Sequence, residues 1–413
     1  MEGPSDDRRG AAPVVGCSQL DSDATPAAAR ACTASAADDR DRKRSSRFAD
    51  HHRTAAALRP ASSGSSPVPV YAALDLGTNN CRLLVARPSR RGFRVLDAFS
   101  RIIRLGEGVM TSGRLSEAAM ARTCDALTVC AGKMRQHGVS RSRLVATEAC
   151  RVAENGAEFV AHVGRALGLQ IEILPRETEA KLAVSGCVSL LDVDAELALV
   201  FDIGGGSSEL IWLDLAQSRR ARRRSPADRL EAVSCITAWT SLPVGVVTLA
   251  ERFGGRHVTA EGFEGMVRTV TQLLAPFEAE HRFCDRLALR KVHLLGTSGT
   301  VTTLAAIQLR LPRYDRRRVD GCWLKVAEAR AITYDLLARS CEERMAVPCI
   351  GKERADFVLA GCAILEALLR MWPVERLRVA DRGLREGILA TLMAGDGHFR
   401  TAGRKARWPG RDN

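Results

Sequence analysis

No apolar run in this chain reaches the ~18 residues that a membrane span needs. There is no CxxC pair and no HExxH, and histidines number only eight, so no zinc site is expected. The start, Met1-Glu2-Gly3-Pro4-Ser5-Asp6-Asp7, lacks the basic and apolar regions of a signal peptide. The thirteen cysteines are an odd number scattered singly. They fit reduced thiols in a cytoplasmic protein better than a disulfide framework. A soluble, cytoplasmic chain with no membrane partner is therefore expected.

What the chain has in excess is positive charge. Its 413 residues carry a net +13. Residues 1–66 are rich in Ala, Ser, Asp and Arg without sustained periodicity, and read as a disordered N-terminal extension. They hold ten Lys/Arg against nine Asp/Glu, so +12 belongs to the remainder. Such a balance suits a polyanion, whether nucleic acid, acidic membrane or phosphate-rich substrate. The length admits two domains with cores of their own.

The remainder is organised around Leu199-Val200-Phe201-Asp202-Ile203-Gly204-Gly205-Gly206-Ser207-Ser208-Glu209-Leu210. Two apolar strands flank one acid, three glycines and two hydroxyl residues. Glycine lets backbone N–H groups close on an anion, because no Cβ holds it away. Asp202 repels phosphate, yet suits a divalent cation that bridges to phosphate. A glycine-rich hairpin turn needs no ligand, but nearly the same device occurs earlier, at Leu74-Asp75-Leu76-Gly77-Thr78-Asn79-Asn80-Cys81-Arg82. Two Asp-x-Gly hairpins point to two related domains facing one phosphate cleft.

The rest of the pattern is α/β. Strands are expected over Val68–Leu74, Cys81–Ala86, Phe93–Ser100, Arg143–Thr147 and Gln170–Leu174, with helices over Leu115–Met134, to Leu167, and Glu177–Val188. Later come strands Leu197–Phe201, Leu210–Leu213, Cys235–Ser241, Lys291–Leu295 and Arg376–Ala380. Helices are expected over Glu261–Ala279, to Leu309, Ala327–Ser340, Arg354–Met371 and to Met393. A third small-residue turn, Gly296-Thr297-Ser298-Gly299-Thr300, sits at a strand-to-helix junction, where the helix dipole favours an anion. Two loops are densely basic, Arg219–Arg224 and Arg310–Arg318. Hydrolysis at such a cleft needs a carboxylate to align and deprotonate water. Glu177 and Glu179 are candidates; two apart, they cannot share a helical face, and spacing alone does not choose between them.

Seven ordered strings resemble the motifs of the Ppx/GppA phosphatases: DLGTNNCRLLVA, ATEACRVAENGAEF, RETEAKLAVSG, VFDIGGGSSEL, LPVGVVTLAERF, LLGTSGTVTTLA and GLREGIL. The match covers roughly residues 70–395. The resemblance implies two ribonuclease-H-like domains of the actin-like/Hsp70/sugar-kinase superfold around a central cleft, at 67–193 and 194–396; residues 397–413 read by themselves as a basic flexible tail. It implies removal of terminal phosphate from inorganic polyphosphate, or of the 5′ γ-phosphate from guanosine pentaphosphate (pppGpp) in the stringent response, with Mg2+.

Carried over by motif, the catalytic glutamate falls on Glu179. The Glu-Glu-Ala that often surrounds it reads Thr178-Glu179-Ala180 here. The metal-binding acids fall on Asp75 and Asp202, with Glu179 as a third, and Asp202 also counts with the catalytic residues. Arg151 resembles the arginine that the family points at its cleft. Phosphate-gripping residues fall on Gly77, Thr78 and Asn79, on Gly204, Gly205, Gly206 and Ser207, and on Gly296, Ser298, Gly299 and Thr300. Arg82 and Arg385 match further phosphate contacts. Long members of the family carry additional C-terminal helical domains, whereas this chain resembles the short two-domain subtype. Grip on long polymers then falls to the cleft, a homodimer partner or the two basic loops.

Exopolyphosphatase is the leading reading and pppGpp phosphohydrolase the alternative. A kinase of the same superfold would reuse both hairpins and phosphorylate a small acceptor with ATP. A non-catalytic polyphosphate or alarmone sensor would bind tightly without turnover, and retention of Glu179 and both aspartates speaks against it. No recognised nucleic-acid-binding fold is present, so nucleic acid is not an expected partner.

Overall fold

The computed structural model describes residues 68–90, 92–192, 194–216 and 232–399. The extension over 1–66, the basic loop Arg219–Arg224 and the end of the tail lie outside the described residues.

Two sheets carry the fold. The first holds β1 (Tyr71–Leu76), β2 (Asn80–Ser89), β3 (Gly92–Ile102), β4 (Arg141–Ala146) and β5 (Ile171–Ile173), in the order β3-β2-β1-β4-β5. β1 pairs antiparallel with β2 and parallel with β4. The second holds β6 (Leu197–Ile203), β7 (Ser208–Asp214), β8 (Ile236–Leu242), β9 (Val292–Thr297), β10 (Trp323–Lys325) and β11 (Arg376–Ala380). Its order, β10-β11-β9-β6-β7-β8, repeats the first sheet as β8-β7-β6-β9-β11, with the same alternation of antiparallel and parallel pairs. The repetition expected from the two hairpins is thus a repetition of whole sheets. β10 is an antiparallel addition to the edge, and three residues are too few to show a period of two in sequence.

The central strands β1 and β6 read as nearly unbroken apolar runs because both faces of each sheet are covered. Helix α1 (Glu117–Gln136), capped by Ser116, and α2 (Gly156–Leu167) cover the outer face of the first sheet. Helices α5 (Ala260–His281) and α8 (Val358–Met371) help close the large outer core of the second. Further helices on this side include α4 (Val246–Phe253), α6 (Gly299–Gln308) and α7 (Val326–Ala338).

The inner faces are covered by exchange. Helix α3 (Arg176–Cys187) follows the first sheet in sequence, yet lays Ala180, Val184 and Cys187 against Ala198, Val200 and Leu295 of the second. Helix α9 (Leu384–Gly395) follows the second sheet, yet lays Leu384, Ile388, Leu389 and Met393 against Tyr71, Ala73 and Val145 of the first. A division of the chain after residue 193 therefore does not follow the packing of its last helix. Residues 398 and 399, expected in the tail, reach the same inner face. The rings of Tyr71 and His398 meet edge to face at 5.8 Å, and Phe399 packs on the same cluster.

The two exchanged helices cross at glycines. A Cβ on Gly387 would lie 1.9 Å from the Leu182 carbonyl oxygen, and one on Gly186 would lie 1.9 Å from that of Gly383. Neither obstacle is a flexible side-chain end. Gly387→Ala is expected to cost about 2–3 kcal/mol, because the backbones must part. Gly132→Ala is the control: it lies in α1 with nothing within 4 Å of its new methyl. It should gain about 0.5–1 kcal/mol from helix propensity alone. Urea midpoints of the two variants read both signs.

Candidate active site

Both hairpins are closed by the same bond. Gly77 N donates to Asn80 O at 2.9 Å, and Gly204 N donates to Ser207 O at 2.9 Å. In each, the acid is the penultimate residue of its strand, inside the ladder rather than beyond it, so both strands run two residues past their expected ends. Across the ladder Asp75 stands opposite Arg82 and Asp202 opposite Glu209.

The two turns meet across the cleft. A Cβ on Gly205 would lie 2.9 Å from Thr78 Cβ, and one on Gly206 would lie 2.8 Å from Thr78 Oγ1. Residues other than glycine would push the turns apart. From below, the first turn of α4 supports Gly204 and Gly205, with Val246 N and Val247 N donating to their carbonyls at 3.0 and 2.8 Å. The ends of the parallel strands complete the site, as open α/β sheets arrange it. β4 leads to Thr147 and Glu148, and β5 leads into α3 with Glu179 in its first turn. β9 leads to Ser298, whose hydroxyl accepts from Thr300 N and Val301 N at 3.2 and 3.3 Å.

One continuous cleft brings together most of the expected residues. Gly77, Thr78, Asn79, Glu179, Gly204 to Ser207 and Thr300 line its main compartment. Asp75, Arg82, Asp202, Ser298 and Gly299 line both this and an adjoining one, and Arg385 lines only the latter. Two expected residues stand elsewhere. Gly296 is inside β9, where a Cβ would strike the Phe201 ring at 2.6 Å, so it serves packing and does not reach the cleft. Arg151 does not line it either. Its guanidinium donates to Glu179 Oε2 at 3.0 Å and to Glu148 Oε2 at 2.8 Å, which makes it a positioning residue.

Glu148, Glu209 and Arg354 belong to the site and were not expected. Glu148 lies in the string that contains Arg151, and its other oxygen accepts from Arg176 at 2.7 Å. Glu209 had a visible signal, a lone acid beside the apolar run Leu210-Ile211-Trp212 on a central strand. Its carboxylate accepts from Ser207 Oγ at 2.7 Å and Ser241 Oγ at 3.0 Å. Arg354 was read as helix, but α8 begins at Val358, and the preceding turn brings Arg354 and Phe357 to the cleft wall.

The cleft is rich in acids whose proton affinity burial raises. Burial, with Glu209 close by, pushes Asp202 up to about 8. Burial also raises Asp75 and Glu209, and raises Glu179 well above the usual carboxylate range despite Arg151. Glu148 goes the other way: burial alone would raise it, but Arg176 and Arg151 together hold it below the ordinary value.

Among the described residues, no three His, Cys, Asp or Glu side chains assemble to hold a metal ion. Glu179, expected as a third carboxylate beside Asp75 and Asp202, lines the same compartment and has its Oε2 committed to Arg151. The donor set still fits Mg2+, which takes one or two carboxylates and completes its shell with water and phosphate oxygens. Neither Asp75 nor Asp202 takes a side-chain hydrogen bond or ion pair among the described residues. The buried Oδ1 atoms of Asn79 and Asn80, on the same wall, have no hydrogen-bond partner among the described residues.

Breaking the Glu148 pair should be costly, because it leaves two cations facing a neutral amide in a nearly buried place. The Glu148 side chain is 7% exposed, against 39% for Arg176. Glu148→Gln is expected to lose about 2–3 kcal/mol of stability, and Arg176→Ala less than about 1 kcal/mol. Denaturant titration of both checks the contrast.

Residues 84–395 match the model of the Ppx/GppA phosphatase family. The chain is 29% identical over 327 residues to a guanosine-5′-triphosphate,3′-diphosphate pyrophosphatase of Photobacterium profundum, covering 79% of this chain and 60% of that one. It thus spans less than two thirds of that relative's length. Among solved structures, the Aquifex aeolicus member of the Ppx/GppA family is 27% identical with a TM-score of 0.63, over 80% of this chain and 100% of that one. A protein described as exopolyphosphatase-like is 28% identical with a TM-score of 0.69, over 79% and 98%.

Proposed function

The chain belongs to the Ppx/GppA phosphatase family, and from that premise we propose that it is an exopolyphosphatase, a phosphoanhydride hydrolase acting on terminal phosphates. The observation that carries the reading is the placement of Glu179. A buried carboxylate of raised proton affinity lines the compartment walled by both glycine turns, and an arginine fixes one of its oxygens.

The chemistry follows from these positions. The two turns and the Ser298–Thr300 helix start seat the terminal phosphates through backbone and hydroxyl donors. Glu179 accepts a proton from water, the water oxygen bonds to the terminal phosphorus, and the bridging P–O bond breaks towards the remaining chain. Arg151 keeps the Glu179 carboxylate aimed. Asp75 and Asp202 would hold Mg2+, which when bound neutralises phosphate charge. Inorganic polyphosphate as substrate is supported by the +12 balance outside the first 66 residues. The second reading, pppGpp hydrolysis in the stringent response, is favoured by the name of the Photobacterium relative. A cytoplasmic location fits both.

Glu179→Gln should lower phosphate release by roughly a thousandfold, the range for removal of a positioned base. Wild type and variant are compared on polyphosphate and pppGpp side by side, and the wild-type ratio names the preferred substrate. Undiminished turnover in the variant would remove Glu179 from the reaction. Chelation by EDTA should abolish release, and added Mg2+ should restore it; activity that survives chelation would sink the magnesium assignment.

A further inference from the structure

The adjoining compartment of the cleft opens beneath the segment that joins α6 to β10. Tyr314, Arg316, Asp381 and Arg382 form its outer wall. Tyr314 Oη donates to Asp381 Oδ2 at 2.7 Å, and Arg316 donates to Glu386 Oε1 at 2.6 Å. Asp320 accepts from Asp381 N at 3.0 Å and pairs with Arg382. The segment is therefore tied down at the rim of the cleft by three of its own residues.

Its remaining cations are free. Residues 310–318 contain five arginines and one aspartate. Arg310, Arg313, Arg317 and Arg318 are all exposed, and their side chains make no hydrogen bond or ion pair among the described residues. The one acid, Asp315, takes a backbone bond from Arg317 N at 2.9 Å. A block of like charge repels itself, and a polyanion relieves that repulsion while releasing its own counterions. Here the block stands on a rigid root at the mouth of a compartment that shares Asp75, Arg82 and Asp202 with the glycine turns.

We propose that the 310–318 loop is the docking surface for the distal part of an inorganic polyphosphate chain whose terminal phosphates lie in the cleft. This rests on the exopolyphosphatase reading and adds where a long substrate leaves the site. Nucleic acid is the less suited polyanion, because single strands are held by stacking on aromatic rings. The loop's one aromatic, Tyr314, is built into the wall and spends its hydroxyl on Asp381.

The test is the triple variant Arg313→Gln, Arg317→Gln, Arg318→Gln, in the full-length chain and also in the Glu179→Gln background. For polyphosphate of several hundred units its KM should rise roughly tenfold or more at low salt and lose part of its salt dependence. Hydrolysis of tripolyphosphate and pppGpp should stay within about twofold. An unchanged long-chain KM, or equal losses on short and long substrates, would overturn the docking surface. Binding of end-labelled long-chain polyphosphate to Glu179→Gln protein, with and without the triple change, separates the two readings. Wild type that releases no phosphate, while the triple change weakens binding, removes the hydrolase and keeps the surface. Failure of the parent Glu179→Gln protein to bind polyphosphate at all removes the surface. A triple variant that loses single-stranded RNA but not polyphosphate reassigns the loop to nucleic acid.

Discussion

The contact on which the site depends is the one between Thr78 and the glycines at 205 and 206. Two hairpin turns from two different sheets touch there with no room for a methyl group between them. Gly205 is also stacked on its other side against Gly245 at the start of α4. These glycines therefore do two jobs, allowing an anion near the backbone and allowing two backbones near each other. A Cβ at either position opens the cleft before it blocks a ligand, so their presence in a phosphate-like motif is as much a packing requirement as a binding one.

A second constraint fixes how the two sheets face one another. Because α3 and α9 are exchanged, the helix that carries Glu179 packs on the second sheet, and the helix that carries Arg385 packs on the first. Each brings a functional side chain in its first turn to a compartment of the cleft. Any shift between the sheets must slide these helices past each other at their glycine crossing. Close-packed interiors have few alternative arrangements of that kind, which keeps Glu179 in register with the turns.

Much of this was legible in the residues. The two hairpins, the α/β alternation and the positions of most strands follow from apolar runs broken by Gly, Asn and Asp. Glu179 and both aspartates came from motif and landed in the cleft. The misses have physical causes. Gly296 sits in a small-residue string like its neighbours, but it is the last part of a strand, and only the Phe201 ring shows that its missing side chain makes room for a core residue. Arg151 was placed in the cleft because its motif resembles the one whose arginine the family points there. Its partners, Glu148 and Glu179, come from 3 and 28 residues away, and a long-range ion pair leaves no period in sequence. The exchange is invisible too: α3 is buried almost all round from Ala180 to Cys187, so its pattern does not say which sheet it covers.

The two hairpins are alike in backbone and unlike in charge, and the difference gives the cleft a direction. In the first, Asp75 stands across the ladder from Arg82, an opposite pair that sheets tolerate well. In the second, Asp202 stands across from Glu209, and like charges directly opposite one another destabilise a ladder. The serines at 207 and 241 satisfy the Glu209 carboxylate but bring no charge. Burial, and after it the nearby Glu209 carboxylate, pushes Asp202 up to about 8, so the conflict shows as a raised proton affinity. A cation would settle it fully, and none of the protein's own lysines or arginines pairs with Asp202 among the described residues. The half of the cleft built by the second hairpin is thus the half whose strand acid meets no cation across the ladder, whereas Arg82 meets Asp75 in the other; Arg82 and Arg354 line the main compartment and Arg385 the adjoining one. A ligand that carries both a divalent cation and a row of phosphates satisfies both halves at once.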